Sequence, residues 1–507
     1  MTVIIDPKFN PVPSLDNAVD VTVAADAPET GAIAVWVKSE GDLPAGLELS
    51  REDLKAAGFT GAKEKTLVLP GAPLRVLVGV GKGVRTGAEA RNAAAAFARA
   101  ASKVSELVIP IGDFADELCS IRAARCAVEG ALLARYVYTV LKKEDKSVRV
   151  EKITIVHGEK DSAEKIEKGA HRGRVLARAN MLARDLGNTP PRHLTAEKFA
   201  EVAEKLAADA GLEIEIYDRE KAIELGLGGL LGVNAGSALE PRVIKLSYKP
   251  ENSTGYVGLV GKGIMYDSGG ISLKPSNDSH CSMKMDMMGA GAVLSAMTAL
   301  RDLDVKTAVT GWLMCTDNMP SGTATKLGDV LTMRNGTTVE VRNTDAEGRL
   351  VLGDGLALAA ETKPDAIVNV ATLTGAALMA LGAKTTAVFS NNDSVAEQIN
   401  AASDAMDEVA HRLPLDLRLK EGMKSTVADM TNVGGGPAGG AITAALFLNE
   451  FVDGIPWAHL DIAGPMETSK ASGWLTAGST GCAARVLVDF VDKFEQPTGE
   501  TTGTELD

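Results

Sequence analysis

The chain has 507 residues, with 53 Lys and Arg against 67 Asp and Glu, a net charge of −14. Hydrophobic residues at 45% and charged residues at 24% exclude a disordered chain, a collagen-like chain and a small disulfide scaffold. The surplus of acid argues against nucleic acid or an anionic membrane as a general partner. At about 150 residues per domain, the length predicts two or three domains.

Short β-branched runs at Val21–Val23, Ala32–Val37, Thr66–Leu69 and Arg75–Val80 read as strands. The Ala-rich Glu89–Lys103 reads as a helix, Glu106–Ile111 as a strand, Phe114–Leu141 as a longer helix and Val148–Val156 as a strand. This alternation predicts an α/β layer. Lys165–Leu186 follows as a long helix, stopped by Gly187-Asn-Thr-Pro190-Pro191. Thr195 then caps a new helix. Beyond it, strands are expected at Glu213–Tyr217, Val243–Tyr248, Tyr256–Val260, Thr307–Met314, Ala366–Ala371, Thr385–Phe389 and Trp457–Ile462. Helices are expected at Met283–Leu303, Arg349–Glu361, Ala438–Phe451 and Gly481–Phe494. The segmentation is an N-terminal α/β domain over 1–165, a linking helix and Pro breaker over 166–194, a larger domain over 195–495 and a disordered polar tail over 496–507.

Five cysteines without a CxxC pair read as reduced thiols, and no basic-then-apolar leader opens the chain. No stretch approaches the roughly 20 apolar residues of a spanning helix. The expectation is a cytoplasmic protein with no membrane partner. The six histidines form no HExxH, HxH or paired cluster, so any metal must be held mainly by oxygen.

Two segments carry chemistry. In Gly258–Pro275 an apolar strand is read as ending at Gly261, before a Gly-rich loop bearing Lys262, Asp267 and Lys274. A phosphate loop needs four residues between its first Gly and the Gly-Lys pair, then Ser or Thr; Tyr256 and Gly263 occupy those places. In Asn343–Leu350 an extended backbone would aim Asp345, Glu347 and Arg349 into one space. With Asp267 and Asp286 the carboxylates number four, a charge that two divalent cations balance better than one arginine. Two-metal hydrolytic sites hold ions about 3.5–4 Å apart. Carboxylates suit Mn²⁺ or Mg²⁺, and Zn²⁺ also accepts them. As a ligand Lys262 would have to be neutral, leaving Lys274 and Arg349 as cations free to act on substrate.

Asn343-Thr-Asp-Ala-Glu-Gly-Arg-Leu350 is identical to the signature of the leucyl aminopeptidase family (M17, cytosol aminopeptidase). The chain resembles that family over about 185–495, through Val260–Gly270, Ile271–Pro275, Asn318–Gly322, Ala371–Gly375, Met430–Gly435 and Trp457–Gly464. Before residue 180 it resembles the family's N-terminal domain in layout and in Leu77-Val-Gly-Val-Gly81. The resemblance implies an α/β fold in two domains: a smaller macro-like N-terminal one, and a larger catalytic one with a central mixed sheet flanked by helices.

It also implies a metal-dependent aminopeptidase that releases Leu-like N-terminal residues from peptides through a water activated by two Mn²⁺ or Zn²⁺ ions. Lys262, Asp267, Asp286 and Glu347 match the ligands of one metal, and Asp267, Asp345 and Glu347 those of the other. Lys274 matches the lysine that polarises the carbonyl, and Arg349 the arginine that holds a bicarbonate proton relay. Thr372, Leu373, Thr374 and Gly375 would line the substrate cleft, and the assembly would be a homohexamer. The Lys274–Asp286 loop is one residue longer than the family pattern, so Asp278 and Asp286 both stand near the ligand position; Met-Lys-x-Asp-Met favours Asp286.

Overall fold

The computed structural model describes residues 6, 8–112, 118–158, 162–436 and 438–502. The chain forms two compact units. One comprises Val12–Met181 with Thr468–Thr480; the other takes Leu182–Glu467, the chain from Gly481 onward and the residues up to Pro11. The division falls inside the long helix, and the later return of 468–480 to the first unit is not part of the segmentation read from sequence.

The first unit holds β1 (Asp20–Ala24), β2 (Ala32–Lys38), β3 (Thr66–Leu69), β4 (Leu74–Gly81), β5 (Glu106–Pro110) and β6 (Lys152–Val156) in the order β1-β6-β5-β2-β4-β3. All pairings are parallel except β3 with β4. Helix α1 (Gly87–Ala100) packs on α2 (Ser120–Ala134), so closely that a Cβ at Gly130 would meet Arg91 O at 2.0 Å. Arg91 of α1 forms a buried charge pair with Glu129 of α2 at 2.7 Å, and Arg125 of α2 adds a second to the same carboxylate at 3.4 Å. The helix expected over Phe114–Leu141 is shorter, and residues 114–117 of it lie outside the described residues. It stops because Tyr136–Val140 is β-branched and aromatic, and because Arg135 turns its guanidinium to the carbonyls of Ala98 and Ala101.

The second unit starts within α3 (Ala163–Asn188), the long helix expected before the Pro breaker. Its sheet has eight strands: β7 (Glu213–Tyr217), β8 (Arg242–Tyr248), β9 (Gly255–Asp267), β10 (Thr307–Asn318), β13 (Ala366–Ala371), β14 (Thr386–Ser390), β15 (Ala410–Arg412) and β17 (Trp457–Asp461). A small separate sheet contains β11 (Val330–Thr332), β12 (Thr338–Glu340) and β16 (Met430–Thr431). The large sheet runs β15-β14-β17-β13-β9-β10-β8-β7 and is mixed. Its centre, β17-β13-β9-β10, is parallel, so these four strands end at the same edge. Parallel centres put ligands beyond their carboxyl ends.

The strand expected to stop at Val260 runs on to Asp267, which makes Lys262 a strand residue and leaves only the segment after Asp267 as loop. Gly261 does not mark a turn. A Cβ there would lie 2.6 Å from Ala290 Cα in α4 (Met288–Met297), so the glycine permits the helix to press on the sheet. On the other face lies α5 (Gly348–Glu361). The helix expected over Met283–Leu303 is broken: Met283–Met285 is a 3₁₀ turn and Asp286 leaves helical geometry before α4 begins. The tail is held further than expected, since Thr502 N–H donates to Asn391 O at 2.6 Å; residues 503–507 lie outside the described residues.

Candidate metal centre

Four chain segments converge at the carboxyl edge. Asp267 ends β9, and Asn318, the last residue of β10, donates to its Oδ1 at 2.9 Å. Gly269 N–H donates to the same oxygen at 2.9 Å from a backbone at φ +89°, where a Cβ would strike Ser272 O at 2.5 Å. That tight turn brings Lys274 back over Asp267. Lys274 Nζ lies 2.8 Å from Asp267 Oδ2 and 2.6 Å from Asp345 Oδ1.

The Asn343–Leu350 segment is not extended as expected. Asp345 lies in a turn, and Glu347, at φ −75° and ψ −36°, is the N-cap of α5. The two carboxylates still meet, because a turn entering a helix folds them onto one side. Ligating atoms of Asp267, Asp345 and Glu347 all lie within 4.8 Å of one another. Lys262 Nζ sits 2.8 Å from Asp286 Oδ1, 2.8 Å from Glu347 Oε1 and 2.9 Å from Thr372 O. Gly348 leaves room for it, since a Cβ there would lie 2.7 Å from Lys262 Nζ. Asp286 is buried in this cluster, whereas Asp278 is exposed in a short helical turn.

Burial pushes the Asp286, Glu347 and Asp345 carboxyls above their ordinary range, and the nearby Asp267 adds to each. Burial would lower Lys262, but Asp286, Glu347 and Asp267 outweigh it and hold the ammonium strongly protonated. Lys274 is raised likewise against burial, chiefly by Asp267. Arg349 is buried, and burial lowers it to about 10. Its guanidinium donates to Asn432 O at 2.9 Å, so it is tethered rather than free as expected.

The donor set fits divalent cations. Four carboxylates outnumber the two lysine ammoniums among them. Asp286 Oδ2 and Glu347 Oε2 are buried without a hydrogen-bond partner among the described residues. Buried carboxylate oxygens left unpaired are costly, and a metal ion answers that demand.

Comparison with known proteins agrees with this chemistry. Residues 181–488 match the cytosol aminopeptidase family, catalytic domain, and residues 47–145 match that family's N-terminal domain. The chain belongs to the cytosol aminopeptidase family. It is 43% identical over 461 residues to a probable cytosol aminopeptidase of Streptomyces avermitilis, covering 87% of this chain and 88% of that protein. A probable cytosol aminopeptidase of Chlorobaculum tepidum is 43% identical over 440 residues, covering 82% and 85%. Among solved structures, the bottromycin maturation enzyme BotP in complex with Mn superposes with a TM-score of 0.83 at 37% identity, covering 92% of this chain and 99% of that one. A mutant of tomato leucine aminopeptidase superposes with a TM-score of 0.85 at 29% identity, covering 94% and 97%. As a cytosol aminopeptidase the chain is a metal-dependent exopeptidase, a hydrolase.

The cytosol aminopeptidase fold brings together the metal candidates Lys262, Asp267, Asp286, Asp345 and Glu347. Thr372–Gly375 follow β13 at the same edge, where Asp461 accepts from Leu373 N–H at 3.0 Å and Thr374 Oγ1–H at 2.7 Å. Thr372 Oγ1–H donates to Asp286 Oδ1 at 2.7 Å. Residue-by-residue reading missed the supports: Asn318 under Asp267, Asn432 under Arg349 and Asp461 under the Thr372–Gly375 loop. Each lies in a stretch that carries the resemblance, but only pairing across the sheets shows what it holds.

Proposed function

We propose that this chain releases N-terminal amino acids, Leu-like ones preferred, from peptides, using two divalent cations held by Lys262, Asp267, Asp286, Asp345 and Glu347. The observation that carries the reading is the cluster of Asp267, Asp345 and Glu347, the first and last buried and Asp345 half-buried, with ligating atoms within 4.8 Å and Lys274 beside it. When bound, the cations would supply Lewis acidity toward the scissile carbonyl and lower the pKa of a water molecule so that it can attack as hydroxide.

By the family resemblance, Asp267, Asp345 and Glu347 would hold one cation, and Asp267, Asp286 and Glu347 with Lys262, as the free amine, would hold the other. Lys274 remains protonated and is the less buried lysine, with its side chain 19% exposed, so it donates to the carbonyl oxygen. Arg349 stands in the first turn of α5, where helix N–H groups and the planar guanidinium favour a small oxyanion, here bicarbonate, which would supply a proton relay. Thr372, Leu373, Thr374 and Gly375 line the approach for the peptide, held in place by Asp461.

The Leu-like preference rests on the family resemblance and the leucine aminopeptidase among the structural neighbours. A homohexamer and a cytoplasmic location are proposed on the same footing. Light scattering at six times the chain mass supports the first, and cell fractionation tests the second. For the activity, the test is hydrolysis of an aminoacyl-anilide panel by purified protein reconstituted with Mn²⁺ or Zn²⁺. Turnover fastest on Leu-like residues is expected, and no hydrolysis with any divalent ion sinks the proposal. Lys274→Ala should abolish most turnover while retaining both metals; metal loss in that variant refutes the carbonyl role.

A further inference from the structure

A buried chain of polar groups starts one strand away from the carboxylates. Asn369 on β13 stands opposite His459 on β17 and opposite Val260 on β9, two residues before Lys262. Paired residues in parallel strands share a face and alternate residues repeat it, so Asn369, His459 and Lys262 lie on the same side of the sheet.

The hydrogen bonds in this chain run one way only. Trp457 has an indole N–H that donates and cannot accept. It donates to Asn369 Oδ1 at 2.8 Å, which fixes the amide and turns Nδ2 to His459 Nδ1 at 2.9 Å. An amide nitrogen only donates, so Nδ1 is the acceptor and the ring proton sits on Nε2. The ring lies nearly parallel to Phe389, with centroids 6.1 Å apart at 17°, and to Trp457, at 6.3 Å and 6°. His459 is fully buried, and its Nε2 has no hydrogen-bond partner among the described residues.

Fixed, buried, unpaired donors are rare in proteins and costly. A second one stands nearby: Arg349 Nε, also buried and without a partner among the described residues. Arg349 is the charge that acts on His459; burial, with that guanidinium adding to it, lowers the imidazole to about 3, so the ring is neutral.

We infer that the His459 Nε2–H and the Arg349 Nε–H are two donors to one small oxyanion held beside the metal carboxylates, with His459 as a positioning residue. The inference rests on the reading of Arg349 as the anion holder. A neutral N–H adds direction without setting a second full positive charge against the guanidinium. The Trp457–Asn369 relay keeps the proton on the edge where it is needed.

The test is binding of ¹³C-labelled bicarbonate to the zinc-loaded full chain, followed by NMR line broadening. His459→Leu should weaken binding by about tenfold or more, equivalent to about 1.4 kcal/mol. His459→Gln, which carries an amide N–H near the same point, should lose less, and metal content should be unchanged in both. Undiminished binding by His459→Leu, with Arg349→Ala silent, overturns the role of His459 and leaves Arg349 as the holder. No binding by the wild-type chain overturns the reading of Arg349, and the inference falls with it. Should His459→Leu fail to fold, ¹⁵N spectra of the wild-type imidazole decide. An Nε2–H ring whose signal moves on adding bicarbonate supports the inference, and an Nδ1–H ring or an indifferent signal overturns it.

Discussion

Replacing Glu347 with Gln should reverse the order of stability between stripped and loaded protein. In the wild-type cluster, Asp286 Oδ2 and Glu347 Oε2 are buried and unpaired among the described residues. An unpaired buried acceptor costs about 1–3 kcal/mol, more when charged, so the two together carry on the order of 2–6 kcal/mol of unmet demand. Burial, with Asp267 next, already disfavours the charged form of Glu347. Glu347→Gln removes that charge, so the stripped variant should melt at or above the stripped wild type. With metal the order inverts. A ligand at a hundredfold excess over its Kd stabilises by about 2.7 kcal/mol per site, and two sites give roughly twice that. For a large domain each kcal/mol moves Tm by about 2–4 °C, so loaded wild type should gain on the order of 10–20 °C, and Glu347→Gln little or none. The assay is calorimetry of chelator-stripped protein against a Mn²⁺ series, with metal counted by mass spectrometry. The reasoning is refuted if wild type melts alike in both states, or if the variant holds two ions.

Thr372→Val removes the hydroxyl that anchors Asp286 at 2.7 Å. Loss of a partner to a ligand typically costs about 10–100-fold in metal affinity or activity, and a competition titration with a metal indicator should show it. Gly261→Ala drives a Cβ to 2.6 Å from Ala290 Cα, a clash of backbone with backbone. It should lower unfolding stability by at least about 1–3 kcal/mol in urea, and an unchanged midpoint contradicts the packing described. Asp354, buried in α5, accepts from Leu230 and Arg334 N–H groups, yet burial raises its carboxyl to about 7. A folded pKa above the unfolded one contributes stability that is full below the ordinary value of 3.8 and is lost as pH rises through about 7. Melting curves from pH 4 to 8 should therefore slope downward more for wild type than for Asp354→Asn, by on the order of a few kcal/mol. Parallel slopes contradict the assignment.

The candidate site residues are readable from sequence because their chemistry is dense and local. Asp345, Glu347 and Arg349 occupy five consecutive positions, and Asp267 and Lys274 are separated by one short loop. The strand and helix alternation was readable for the same reason, since apolar periodicity is a local property. Errors fell where a distant contact overrides local preference. Lys262 looked like a loop residue because glycines flank it, but Gly261 is small to admit α4 and the strand runs through. Met283–Leu303 has helical composition throughout, but the pull of Lys262 and Thr372 on Asp286 breaks it.

By itself the sequence determined the two-domain α/β architecture, the family and the set of carboxylates and lysines that would hold the metals. Only the tertiary structure placed Asn318, Asn432 and Asp461 behind the residues they support, and set the proton of His459 on Nε2. These are decided by hydrogen bonds between residues tens to about a hundred positions apart, such as Asn318 with Asp267 and Asn369 with His459. Sheet pairing creates those distances, and no local pattern in the chain encodes them.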